Sequence, residues 1–311
     1  LRAAENSKYQ GGSVLKKIAV GILIVVVFIG MFFFLKASFA NEIFIDPVIF
    51  TVGPLEIRWY GVIIATGIII CYLIGRRLAM KEGIDDEHVA EALIVGVISG
   101  IVGARLYYVF SRWDIYSQVP GEIFKTWHGG MAIHGGVIGA MIGVFIYTKL
   151  RKKCTFTFLQ GFDIAALMLP LGQAVGRWGN FCNHEAYGKP TDLPWKMYIP
   201  PRFRMPGYES FEFFHPTFLY ESLWNIGVFI FLFWFYKNKR KNFGEILALY
   251  MILYSIARFF IEGLRLDSLY WGEYRAAQIT SILLITFGII LFVLVRKFGK
   301  GNHSEKTPSK K

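Results

Sequence analysis

The sequence predicts an all-α, polytopic membrane protein: a seven-transmembrane-helix body preceded by one additional N-terminal transmembrane helix or signal-like segment. Three observations carry this reading. Of the 311 residues 54% are apolar and only 18% charged, outside the norm of soluble globular chains. Eight apolar runs approach the ~20 residues that a ~30 Å hydrocarbon core asks of a helix. Lys and Arg gather at every second connection between those runs, the pattern left when basic residues are retained on one side of a bilayer.

The runs lie near residues 18–35, 59–79, 89–110, 131–148, 162–177, 217–236, 245–262 and 277–296. The first follows Lys16 and Lys17 and ends near Ser38-Phe39-Ala40. It has two readings, a cleavable signal peptide or a retained helix, and its length favours retention. The second opens at Tyr60 in RWYG and closes at Arg76, Arg77 and Lys81. The third leads to HGGMAIHGG, with His128 before the fourth run and His134 inside its outer end. The fourth closes at Lys149, Arg151, Lys152 and Lys153. The fifth ends in GRWGNFCNHEAYG, Gly176 to Gly188, where Gly176 and Gly179 are expected to let the helix end or bend. HPTFLYES opens the sixth with His215, Pro216 and Glu221, Pro216 suiting a first turn. That run closes at Lys237, Lys239, Arg240 and Lys241, and the eighth at Arg296, Lys297 and Lys300. Both termini are therefore expected inside.

This divides the chain into an extension over residues 1–44 with its apolar helix at 18–35, a seven-helix body over 45–298, and a basic cytoplasmic tail over 299–311. Within the body, residues of about 179–216 form an outer interfacial segment with Trp195, Tyr198 and Phe203 as headgroup-level anchors. The net charge of +12 is accounted for by the basic anchors and the tail. It therefore calls for no nucleic acid, although attraction to anionic membrane lipid is expected. Cys71, Cys154 and Cys182 lie far apart, without metal-type His/Cys spacing; no metal and no cofactor are expected.

An ionisable group at membrane depth is costly, so each one is a site hypothesis. Tyr254, Arg258 and Glu262 recur at i, i+4 and i+8 and share one helix face; an Arg258–Glu262 pair that only fixes packing is the plainer reading. Tyr60 alone reads as an interfacial aromatic. His134 precedes GGVIGAMIGVF, a close-packing surface of small residues. Arg177 and Asn180, three apart, can point together into a cavity, and irregular polar backbone at that depth is tolerated only where it lines protein or water.

GRWGNFCNHEAYG resembles the signature segment of the prolipoprotein diacylglyceryl transferases, and HGGMAIHGG, HPTFLYES and the Tyr254/Arg258/Glu262 face resemble their other motifs in order, over about residues 45–298. The resemblance implies a bacterial cytoplasmic-membrane transferase that moves the diacylglyceryl group of phosphatidylglycerol onto the lipobox cysteine of a prolipoprotein signal peptide. A thioether forms and glycerol phosphate leaves. By motif, Arg177, Asn180, Glu185 and Gly188 match the signature, His134 the glycine-rich run, and Tyr60, Tyr254 and Arg258 further functional positions; Glu262 and Arg265 match additional polar ones. Phosphatidylglycerol binding then falls to Arg177, Asn180, Glu185, Gly188, Arg258, Glu262 and Arg265. His134 is the leading base for the substrate thiol, and Arg177 with Arg258 would stabilise charge growing on the leaving phosphate. Tyr60, Tyr254 and Asn180 would orient the ester or glycerol headgroup, and Glu185 or Glu262 would hold an arginine. A transporter is the competing class, because buried charge in a helical bundle also describes a solute path. The sequence has no inverted repeat, and its polar groups gather at the outer leaflet away from the midplane.

Overall fold

The computed structural model describes residues 19–299 apart from 20, 24, 28, 54, 127 and 128. Lys16, Lys17, His128 and the tail from Lys300 onward lie outside the described residues. Over the described residues each apolar run is largely helical. In chain order come α1 (Gly21–Phe39), a hairpin of β1 (Val48–Val52) and β2 (Leu55–Arg58), α2 (Trp59–Lys81), α3 (Asp86–Ser111) and the short α4 (Trp113–Tyr116). Then follow α5 (Ile133–Leu150), α6 (Phe158–Cys182), α7 (Thr217–Asn238), α8 (Glu245–Glu262) and α9 (Ala276–Phe298). Among the described residues α1, α2, α3, α6, α7 and α9 are long and apolar enough to cross a membrane. At 18 residues each, α5 and α8 reach about 27 Å at ~1.5 Å per residue, close to one hydrocarbon thickness. This is a multi-pass membrane protein.

Helix α6 is the axis of the bundle, packed on α2, α7 and α8. Leu167, with Leu232 of α7 and Ile246 of α8, fills a fully buried core. The helix is longer than the expected 162–177 and runs through Gly176 and Gly179 without ending. Those glycines admit α2 instead. A Cβ at Gly176 would sit 3.3 Å from Ile64, and one at Gly179 would overlap the Tyr60 ring at 2.6 Å. The first seven residues of the signature are therefore helical, and the chain turns only at Asn183.

Helices α3 and α5 form a second, tightly closed pair. An added Cβ at Gly103 would lie 2.4 Å from the Gly135 carbonyl, so the two backbones touch, as small-residue seams between membrane helices allow. This pair meets α2 and α6 only lightly.

The described basic clusters all fall at one end of the bundle. There Arg240 is buried against Glu82 and lies 3.7 Å from Asp163, Arg296 holds Glu245 at 2.9 Å, and Arg151 holds Glu91 at 2.9 Å. The opposite end carries a cap built from the segment after α6, in which β3 (Met197–Tyr198) pairs with β4 (Phe213–Phe214). Trp195 is exposed there, whereas Tyr198 and Phe203 are partly buried in the cap. They pack against its core as well as facing outward, because Phe203 stacks on His184. Phe39, at the end of α1, is 9% exposed and packs edge-on to Phe181 and Phe218. The Ser38-Phe39-Ala40 stretch is thus joined to the core of the cap.

A candidate active site at the capped end of the bundle

Three arginines converge on one carboxylate. Glu221, in the second turn of α7, is 4% exposed. Arg177 of α6 contacts its Oε2, while Arg258 of α8 and Arg265 just beyond α8 reach Oε1 at 3.3 and 3.5 Å. Arg258 also meets Glu262 at 2.6 Å, one helical turn on. Arg265 forms a two-pronged pair with Asp267 at 2.8 and 2.6 Å. Burial opposes ionisation of Asp267, but the Arg265 guanidinium outweighs it and holds the carboxyl below its ordinary range. A buried charge needs partners to persist, and here three guanidiniums and three carboxylates supply one another.

The local sequence explains how each side chain arrives. Asn180, three residues after Arg177, accepts from its Nη1 at 3.3 Å and donates to Glu185 at 2.8 Å. Asn183 donates to Glu185 as well, at 3.4 Å. Glu185 therefore organises the amides of the turn, and of the two carboxylates expected to hold an arginine, Glu185 or Glu262, it is the second that does; Glu221 holds Arg177. Glu262 does hold Arg258 as expected. Beyond the helix His184 and Ala186 have positive φ (53° and 57°), uncommon for residues with a Cβ. His184 is fixed in this conformation between the Phe44 and Phe203 rings, and burial pushes its pKa down. The Ala186 carbonyl accepts from the Thr217 hydroxyl.

Gly188 closes the signature by pairing with the segment that carries Arg265. Its N–H donates to His215 O at 2.9 Å, and Lys189 N–H donates to Leu264 O at 2.8 Å. A Cβ at Gly188 would lie 2.8 Å from His215 Cβ and 3.0 Å from Thr217 Cγ2. Glycine is required there because two chain segments approach its backbone.

Tyr254 lies one turn before Arg258 and stacks on Tyr250 at 5.6 Å. Tyr250 accepts from Gln173 Nε2 at 2.8 Å, one turn before Arg177. Tyr60 covers Gly179 from α2 and stays 39% exposed. His134 sits in the first turn of α5 at the same end of the bundle, exposed, its ring 6.3 Å from Tyr107 of α3. Among the described residues it has no hydrogen-bond partner and no contact with the arginine cluster. The structure thus gathers Arg177, Asn180, Glu185, Gly188, Arg258, Glu262 and Arg265, sets Tyr60 and Tyr254 beside them, and leaves His134 on the separate α3–α5 pair. Sequence reasoning placed Glu221 only as part of HPTFLYES and missed Gln173 and Tyr250. Their helical spacing, Gln173 one turn before Arg177 and Tyr250 one turn before Tyr254, was the available signal.

Arg177 and Arg258 are each about one-fifth exposed. Arg177 meets Glu221 through Nη2 and Asn180 through Nη1, and Arg258 meets Glu221 through Nη1 and Glu262 through Nη2. With five N–H donors each, both keep donors beyond these contacts, and planar guanidinium forks match phosphate oxygens. An apolar groove of about 280 Å³ lined by Ile63, Ala174, Trp178 and Ile226 lies on another face of α6. It contains none of these groups.

A multi-pass helical bundle with carboxylate-anchored arginines under a folded cap defines a membrane-embedded protein with a charged site buried at one end. A sequence model of the prolipoprotein diacylglyceryl transferase family matches residues 47–294, and the chain belongs to that family. It is 50% identical over 280 residues to the phosphatidylglycerol–prolipoprotein diacylglyceryl transferase of Fervidobacterium nodosum, covering 90% of this chain and 95% of the relative. The enzyme of that name from Thermotoga maritima is 48% identical over 86% of this chain and 91% of its own length. The one from Thermosynechococcus vestitus is 45% identical over 76% and 87% respectively.

Proposed function

We propose that the protein transfers the diacylglyceryl group of phosphatidylglycerol to the lipobox cysteine thiol of prolipoprotein signal peptides. The seven-helix body over 45–298 carries the reaction. The observation that supports it most is the convergence of Arg177 and Arg258 on Glu221 at the capped end. In the reaction a carbon–sulfur bond forms at the glyceryl carbon and the carbon–oxygen bond to phosphate breaks. Glycerol phosphate leaves with the electron pair, and the thiol proton passes to a base. A thiol of pKa ~8.5 is only slightly ionised at neutral pH, so it needs such a base. His134 fills this role from the α5 side. The lipid phosphate takes the remaining N–H donors of Arg177 and Arg258, where charge that develops as the bond breaks is stabilised most. Asn180, Tyr60 and Tyr254 orient the headgroup, and Glu262 and Arg265 keep the cluster in register.

The capped end faces the outer leaflet of the bacterial cytoplasmic membrane, and the basic end with the C-terminus faces the cytoplasm. That orientation follows the retention of basic residues inside. The test is transfer in detergent: purified protein, phosphatidylglycerol and a lipobox peptide should yield a thioether-linked diacylglyceryl peptide by mass spectrometry. Absence of that product, with the protein folded, overturns the function. In a background freed of native cysteines, a cysteine at Ser210 should react with an impermeant maleimide from outside, and one at Asn238 should not. The reverse labelling would overturn the orientation.

A further inference from the structure

Among the described residues, a guanidinium outside the arginine cluster is also buried at the capped end. Arg105, near the end of α3, is 6% exposed. Its Nε donates to Ile123 O at 2.9 Å. Nη1 donates to Gly129 O and Gly130 O at 2.7 and 2.9 Å, and Nη2 to Glu122 O and Lys125 O at 2.5 and 3.4 Å. An arginine has five N–H donors, and here main-chain carbonyls take all of them. Unlike Arg177 and Arg258, Arg105 therefore has no donor left for a substrate phosphate.

All five carbonyls belong to the segment that delivers the glycine-rich run to α5. The residue before Arg105 completes the hold, since Ala104 O accepts the Ala132 N–H at 3.0 Å. Gly130, at φ +74°, fits between the guanidinium and Tyr108, where a Cβ would lie 2.6 Å from Arg105 Nη1 and 2.8 Å from the Tyr108 ring. Tyr116 closes over the guanidinium at 5.1 Å. Two residues beyond Ala132 stands His134, with the Tyr107 ring of the same helix next to it. Four residues of α3 within about one and a half turns, Ala104, Arg105, Tyr107 and Tyr108, thus fix the approach to a histidine that itself has no hydrogen bond among the described residues.

We propose that Arg105 is a positioning residue for His134: its guanidinium ties the Glu122, Ile123, Lys125, Gly129 and Gly130 carbonyls to α3 and so sets where the imidazole meets the substrate thiol. This rests on the reading of His134 as the base. Lysine cannot replace it, because one ammonium has three donors on a point charge and cannot span carbonyls arranged around a planar fork. A displacement of about 1 Å in a reacting group costs on the order of 10²-fold in rate.

The experiment is steady-state transfer from phosphatidylglycerol to a lipobox peptide by wild type, Arg105→Lys, His134→Gln and the double variant, with folded yield measured for each. Arg105→Lys should lower kcat by about 10- to 100-fold while KM for phosphatidylglycerol changes less than about threefold, because no phosphate contact is lost. In the double variant the two losses should not multiply, since both act through one imidazole. Gly130→Ala moves the same loop without touching the charge and should reproduce the kcat loss. Multiplicative losses, an effect confined to KM, or normal kcat in folded Arg105→Lys and Gly130→Ala would each overturn the proposal. Absence of transfer by wild type would overturn the functional reading instead, and a normal rate in His134→Gln would remove the base on which Arg105 is argued to act.

Discussion

Replacing Glu221 by glutamine is the most informative single perturbation of the cluster. The amide has nearly the same shape but turns one of two acceptor oxygens into a donor. Arg177 uses Oε2, and Arg258 and Arg265 use Oε1, so either amide orientation confronts at least one guanidinium with an N–H. In charge terms, each contact at 3.3 to 3.5 Å amounts to about 5 kcal/mol of gross attraction at an effective dielectric of ~20. Mutual repulsion of the three guanidiniums and the desolvation of all partners offset much of that. Removing one partner of a buried network leaves a net cost of about 3–5 kcal/mol, or roughly a 10 °C fall in Tm at ~2–4 °C per kcal/mol. Arg177 and Arg258, proposed above to hold the lipid phosphate, lose their shared partner together, although Arg258 keeps Glu262. The fall in kcat should therefore match the loss of one well-placed donor to developing charge, about 10²–10³-fold, with KM for phosphatidylglycerol changing less. Glu221→Asp keeps the charge on a shorter arm and should fall between. The assay is thermal unfolding in detergent beside steady-state transfer to a lipobox peptide. A Glu221→Gln protein with kcat within about threefold and Tm within about 2 °C of wild type, figures well inside the estimates above, would refute the idea that this carboxylate orders the arginines.

Two further outcomes follow from the segment after α8. Gly188→Ala should lower stability by about 1–3 kcal/mol, the usual cost of overfilling a packed site, since the new methyl would meet His215, Thr217 and the Leu264 carbonyl; because relief moves Arg265, kcat should fall as well, and unchanged Tm and kcat would contradict the close approach. The Asp267 carboxyl is held below its ordinary range when folded, so its contribution is present above the unfolded pKa of ~3.9 and is lost as pH falls through the depressed folded value. Hydrogen-exchange protection of residues 263–268 should hold from neutral pH down to that range, then fall, and Asp267→Asn should abolish the step; a wild-type profile with no acid step would refute the pairing.

What the sequence determined by itself was whatever depends on neighbours along the chain. Apolar length and the spacing of basic residues gave the spans and their alternation, because helix rise and bilayer thickness fix both locally. Helical periodicity put Tyr254, Arg258 and Glu262 on one face, and the Arg258–Glu262 pair is there at 2.6 Å. The end of α6 was misjudged for a tertiary reason: Gly176 and Gly179 read as helix breakers until α2 is seen to need their missing side chains. The tertiary structure alone decided that Glu221 is the shared partner of three arginines from α6, α8 and the segment beyond α8. It likewise decided that Glu185 binds amides, that Phe39 is built into the cap and that Arg105 gives every donor to a loop. A single chain pattern specifies which face of a helix is polar. Which faces meet is set by how the helices cross, and in this protein glycines fix those crossings, by letting the backbones of α3 and α5 touch and by admitting side chains across the α2–α6 seam.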